Sequence, residues 1–192
     1  MSLKSEKLRN AIIFFVQNDK TVKLTKLMKL LYYLDFRHYQ ETGYSVTGQE
    51  YSAWPKGPLP EDVWAEIRNK ENRGCGIEQF LVAQPAPPGI DDFGYTLWLL
   101  KGVKFSEDPF TDRELRILHE VSEIFKGVPA AQIVDATHMR GLPWETTIRK
   151  VGEKAKINYD LAFEGVDPDD VERIREDQQD RRELDALFEV AL

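Results

Sequence analysis

The sequence predicts an α+β fold, a predominantly helical single domain with a small antiparallel sheet of two or three strands. Three observations predict it. Apolar residues recur at helical spacing both in the first forty or so positions and again after Thr111. Between those regions lie short stretches rich in β-branched and aromatic residues, cut by prolines and glycines. A chain of 192 residues, 42% hydrophobic and 31% charged, is also sized for one well-buried core.

A first helix is expected over residues 4–17, where Leu8, Ile12, Phe15 and Val16 share one side, and Asn18-Asp19 end it. A second covers about residues 25–41. Its stripe of Leu24, Leu27, Met28, Leu31 and Leu34 is widened by Leu30 and Tyr33, so burial on more than one side is expected. Gly43 stands where a C-cap glycine belongs. Residues 46–54 read as a strand, which Pro55-Lys56-Gly57-Pro58 should stop because neither proline has an N–H to give a ladder. Pro60 then suits the first turn of a helix through Val63, Trp64 and Ile67. Residues 77–83 and 95–103 read as strands, joined by a loop containing Pro85, Pro87, Pro88 and Gly89. So small a sheet must pack on helices to be stable.

After the sheet, Thr111 and Glu114 have the spacing of a capping box, and Leu115, Leu118, Val121, Ile124 and Phe125 supply an apolar stripe that ends at Gly127. Pro129 opens a further helix reaching His138, and a turn at residues 141–144 leads to a short segment. Asp167 and Pro168 then start a last helix. Val171 and Ile174 give that helix an apolar face, but residues 175–183 contain no apolar side chain before Leu184, Leu187, Phe188 and Leu192. A helix polar for nine residues should either leave the domain there or bend away, and an apolar patch at its far end suits a partner.

The net charge of −7 is confined to this tail. Residues 164–192 hold eleven acidic side chains and four arginines, whereas residues 1–163 hold 22 of each sign. The chain therefore divides into a neutral body, 1–165, and an acidic helical tail, 166–192. Such a distribution disfavours direct binding to nucleic acid, which needs clustered Lys and Arg; it suits a basic protein surface, and equally a plain solvated acidic helix. No apolar run spans a bilayer and no signal peptide is evident, so a cytoplasmic protein without membrane contact is expected.

Little in the sequence supports catalysis. There is no phosphate-cradling glycine loop and no nucleophile elbow, and Cys75 is the lone cysteine. Its neighbours Arg73, Gly74 and Gly76 suggest an exposed turn, where a reactive thiol is conceivable. Asp135 and His138, three apart on a helix, share a face and define the rival reading, a metal-dependent hydrolytic enzyme, provided His38 or His119 completes the site. The plainer expectation is that Asp135 orients His138 or caps a turn and that no metal or cofactor is bound. His38 sits at a helix end, where a protonated ring would favour the dipole. Asp35 interrupts an apolar stripe and is expected to be an anchor whose donors are Arg37, His38 or a backbone amide. Trp54 and Trp98 fall on strand signals and are expected in the core. Trp144 follows Pro143 at a turn and is either core or interface.

Three stretches together resemble the Panacea domain of SocA-like antitoxins. They are Lys26-Leu27-Met28-Lys29-Leu30-Leu31-Tyr32-Tyr33-Leu34-Asp35 with His38 and Tyr39, Glu50-Tyr51-Ser52-Ala53-Trp54-Pro55-Lys56-Gly57-Pro58-Leu59-Pro60, and Thr137-His138 followed by Gly141 to Pro143-Trp144. The resemblance implies a non-catalytic antitoxin of a bacterial or phage system that neutralises a cognate toxin by direct binding. It also implies service as an adaptor to a Clp-type protease, and leaves a second alternative, a phage or mobile-element structural protein. Some relatives carry an added DNA-binding module, which has no counterpart here. His138, Trp144, Leu184, Leu187 and Phe188 are the expected partner-binding residues.

Overall fold

In a computed structural model, residues 2–70, 73–85 and 94–190 are described, with the side chains of residues 188–190 left aside. The long helix α2 (Leu24–Thr42) forms the axis of the molecule, and its apolar residues from Leu24 to Phe36 are buried on nearly every side. Helices α1 (Leu3–Asn18) and α4 (Asp112–Phe125) pack against it, as do the shorter α3 (Glu61–Asn69) and α5 (Ala130–Thr137). Helix α6 (Pro143–Lys150) and a 3₁₀ turn at Tyr159–Phe163 close the remaining side, and α7 (Pro168–Val190) follows. Gly43 ends α2 in the left-handed region at φ 73°, as its position predicts. Thr111 and Glu114 form the expected reciprocal capping box, and Glu114 also takes the Lys7 ammonium at 2.7 Å.

Among the described residues the strands make two separate antiparallel hairpins rather than one sheet. Strands β3 (Leu81–Pro85) and β4 (Tyr95–Leu99) pair with Val82 opposite Trp98. Both are shorter than the sequence suggests, and residues 77–79 form a 3₁₀ turn. The other hairpin overturns the expectation that prolines stop the strand. Strand β1 (Tyr51–Trp54) turns tightly at Pro55-Lys56 into β2 (Gly57–Pro60), so both Pro58 and Pro60 lie inside a strand. The register explains their tolerance. Pro58 faces Ala53 and Pro60 faces Tyr51, and the backbone groups of those two residues turn away, toward Lys154, Ala155 and Ile157. No ladder bond is lost where proline has no hydrogen to give.

Several further expectations need correction. Trp98 is 46% exposed, because alternation along β4 turns Leu97 inward and Trp98 outward. Ile124 is exposed and Ile117 takes its place in the α4 stripe. His38 is buried, and burial lowers its pKa, disfavouring the charged ring; it meets the Tyr44 carbonyl at 2.6 Å rather than serving as a terminal charge. Asp35 is an anchor that takes a backbone amide as expected, from Thr47 (2.7 Å), but its other donors are the Thr47 hydroxyl (2.5 Å) and the Tyr51 hydroxyl (2.8 Å) rather than Arg37 or His38. Burial and the neighbouring carboxylates Glu66, Asp62 and Glu78 push the Cys75 thiol up to about 11, away from reactivity. Helix α7 does not leave at residue 175. Ile174 is buried, Gln178 donates to the Gly43 carbonyl, and the Arg181 guanidinium lies 5.5 Å from the Tyr44 ring centroid. Polar contacts hold the helix where apolar ones are missing, and the departure comes near Leu184.

Candidate partner-binding site

Three separated stretches of chain meet around the side chain of Lys29. Helix α2 supplies the lysine, the β1–β2 hairpin supplies Trp54, Gly57 and Pro58, and the α5–α6 connection supplies Thr137, His138 and Trp144. The Lys29 ammonium donates to the Pro58 carbonyl at 2.8 Å. Gly57, at φ 97°, fits between Lys29 and Thr137 because it has no Cβ; one there would stand 2.7 Å from both Lys29 Cε and Thr137 Oγ1. The Trp144 indole donates to the Trp54 carbonyl at 2.9 Å and stacks on His138.

Lys26 and Lys29 lie three residues apart on α2, are both buried, and have different surroundings. Lys26 is fully engaged, donating to Asp19 (2.7 Å), Thr21 (2.9 Å) and the Val128 carbonyl (2.8 Å). Burial alone would raise the Asp19 pKa, but Lys26 and the amides of Gly127 and Thr21 outweigh it and hold the carboxyl well below its usual range. Lys29 has the Pro58 carbonyl as its one acceptor among the described residues, and burial pushes its pKa down to about 7. Lys26 is thus a structural ion-pair lysine, whereas Lys29 has hydrogen-bonding capacity left over.

Beside Lys29 lies a cleft of about 330 Å³, which opens next to the first turn of α2. Lys29 and Met28 line it together with Trp54, Lys56, Trp64, Arg68 and Tyr95. Trp54 and Trp64 are stacked, with ring centroids 6.1 Å apart, and the Arg68 guanidinium lies over the Tyr95 ring at 4.9 Å. Trp64, Arg68 and Tyr95 escape a reading of motifs because they come from α3 and β4, outside the three stretches. Lys29 gives a signal in the sequence itself, a lysine inside a helix stripe that is apolar on more than one side.

Residues 27–145, more than half of the chain, match a family model described as antitoxin SocA-like, Panacea domain. The chain belongs to that family. No curated protein and no solved structure matches it. Lys29, Trp54, Gly57, Thr137, His138 and Trp144 all fall within the matched part of the Panacea domain, and α7 lies beyond it.

The five expected partner-binding residues do not gather at one place. His138 is half-buried, and burial, then the Lys29 charge, lowers its pKa, with Asp135 opposing weakly; its Nε2 has no partner among the described residues. Trp144 is only 8% exposed. Leu184 and Leu187, 54% and 68% exposed, project from α7. The Phe188 side chain lies outside the described residues. Helix α7 meets the body at Gly43, fourteen residues along α2 from Lys29, or about 20 Å at the helical rise. Among the described residues no group of three His, Cys, Asp or Glu side chains is placed to hold a metal, so Asp135 and His138 gain no third ligand. No described helix is long and apolar enough to cross a membrane.

Proposed function

We propose that this chain is a non-catalytic antitoxin that acts in the cytoplasm, binding a cognate toxin directly and neutralising it. Membership of the Panacea family carries the reading. The exposed apolar end of α7 supports a docking role for the tail, since Leu184 and Leu187 lie on an acidic helix outside the matched domain. On this reading residues 1–165 form the Panacea unit and residues 166–192 an acidic arm. Its charge steers a basic toxin surface into contact. His138 and Trp144 hold the α5–α6 turn in shape for a second contact. The arm also suits delivery of the captured toxin to a Clp-type protease.

Co-expression with the protein encoded by the adjacent gene tests the reading. Growth rescue and a stable complex are expected, and failure of both rejects it. Removing residues 175–192 is expected to weaken the complex at least tenfold with the helical circular dichroism of the body retained. Unchanged affinity would reject the tail's part. A toxin half-life that shortens only in cells containing the protease separates delivery from simple occlusion.

A further inference from the structure

The described lining of the cleft beside Lys29 is cationic in a chain that is acidic as a whole. The protein carries a net charge of −7, yet the described residues lining the cleft include Lys29, Lys56 and Arg68 and no acidic side chain. Its walls are aromatic. Trp54 and Trp64 form one side, and the Arg68 guanidinium carbon lies over the rings of both Tyr95 and Trp64, 4.9 and 5.7 Å from the two centroids. Stacking occupies the face of a guanidinium and leaves its N–H edges available for a planar acceptor. At the floor, Lys29 is 2% exposed, with the Pro58 carbonyl as its one acceptor among the described residues. Helix α2 presents its first turn, Leu24 and Thr25, to the same space and has no acidic residue there, so the positive end of its dipole adds to the field.

We propose that this cleft receives an acidic side chain of the bound partner protein, its carboxylate held between Arg68 and the Lys29 ammonium while an adjoining apolar residue packs on Trp54 and Trp64. This rests on the reading of the chain as a protein-binding antitoxin and adds the chemistry that the partner must present. About 330 Å³ accommodates one or two side chains, and aromatic walls with one buried and one exposed cationic donor match a carboxylate beside an apolar group. A nucleic-acid strand is disfavoured by the acidic tail and the neutral body. The contact is separate from the tail, so toxin capture uses both ends of α2.

The test is a titration of the full chain, followed by tryptophan emission, with three capped peptides, acetyl-Leu-Glu-Leu-amide and its Gln and Lys counterparts. The Glu peptide is expected to bind saturably and at least tenfold more tightly than either of the others. Arg68→Glu, an exposed substitution whose folding is checked by circular dichroism, is expected to abolish that binding, and Lys29→Met to weaken it at least tenfold. Equal binding of the Glu and Gln peptides would overturn the proposal, as would unaltered binding by Arg68→Glu. So would binding of inorganic phosphate, or of the Gln peptide with a free C-terminus, in the absence of binding by the capped Glu peptide. Toxin neutralisation that survives Arg68→Glu would overturn the cleft's role and leave the antitoxin reading standing. Failure of the unaltered chain to neutralise any adjacent gene product would reject that reading instead.

Discussion

The imidazole of His138 lies flat on the indole of Trp144, with ring centroids 3.8 Å apart and planes 10° from parallel. The stack joins the end of α5 to the first turn of α6, and the indole N–H reaches across to the Trp54 carbonyl in β1. Trp144 thus fastens the third motif stretch to the second. Removing it deletes a large buried ring and leaves a carbonyl without its donor. Trp144→Ala is expected to cost about 3–5 kcal/mol, the usual range for aromatic truncation in a core. Urea unfolding of the isolated chain measures this; a loss below about 1 kcal/mol would show that the ring does not secure the connection.

Lys29 makes stability depend on pH in the alkaline range. In the unfolded chain it titrates near its ordinary value of about 10.5, whereas in the fold burial brings it down to about 7. Between those values the unfolded state holds more protons, so stability rises with pH. The contribution is fully present above the unfolded pKa and is lost as pH falls through about 7. The titratable group coupled to it is His138, whose pKa is lowered by burial and by the Lys29 charge, and Lys56, Arg68 and Tyr95 line the same cleft. Lys29→Met is expected to abolish this alkaline gain, on the order of a few kcal/mol across the window. Denaturant midpoints at pH 6.5, 8 and 9.5 for both proteins read it directly; identical slopes would refute it.

Much of this architecture was legible in the sequence, for reasons that particular residues display. Helix α2 is evident because Leu24, Leu27, Leu31 and Leu34 repeat at helical spacing, and Thr111 with Glu114 announce α4 through chemistry local to one turn. The β1–β2 hairpin was obscured because proline is tolerated according to which way the opposite residue's backbone points, and that is settled by the 154–157 segment a hundred residues later. Asp35 was recognisable as an anchor, yet its donors Thr47 and Tyr51 are set by the path after Gly43. The cleft was the least legible part, because Lys29, Arg68 and Tyr95 belong to three elements that only tertiary packing brings together.

Asp35 has the opposite pH signature to Lys29. Burial raises its pKa to about 6, against the opposing effect of three hydrogen bonds from Thr47 and Tyr51. Between about 4 and that value the folded state holds more protons than the unfolded one, so this contribution is greatest in acid and is lost as pH rises through about 6. Asp35→Ala would remove the acceptor while leaving a buried amide and two buried hydroxyls unpaired. A loss of about 3–5 kcal/mol is expected at pH 7. Asp35→Asn, which keeps one acceptor oxygen, is expected to lose less and to flatten the acid limb of the stability profile. Equal losses for the two variants would show that hydrogen bonding is not what Asp35 supplies.

Gly57 concentrates two constraints at the meeting point of the three motif stretches. Its φ of 97° lies where L side chains are rarely found, and a Cβ would stand 2.7 Å from both Lys29 Cε and Thr137 Oγ1. Neither neighbour gives way cheaply. Lys29 is tied to the Pro58 carbonyl, and the Thr137 hydroxyl donates to the Val134 carbonyl at 2.7 Å. Gly57→Ala therefore adds backbone strain to overpacking, and a loss of about 2–4 kcal/mol is expected. Combining it with Thr137→Ser leaves the hydroxyl in place and should relieve little, whereas Thr137→Ala removes the atom in contact and should recover part of the loss. A double-mutant cycle by thermal unfolding measures that coupling. Strict additivity of Gly57→Ala and Thr137→Ala would place the strain in the backbone alone.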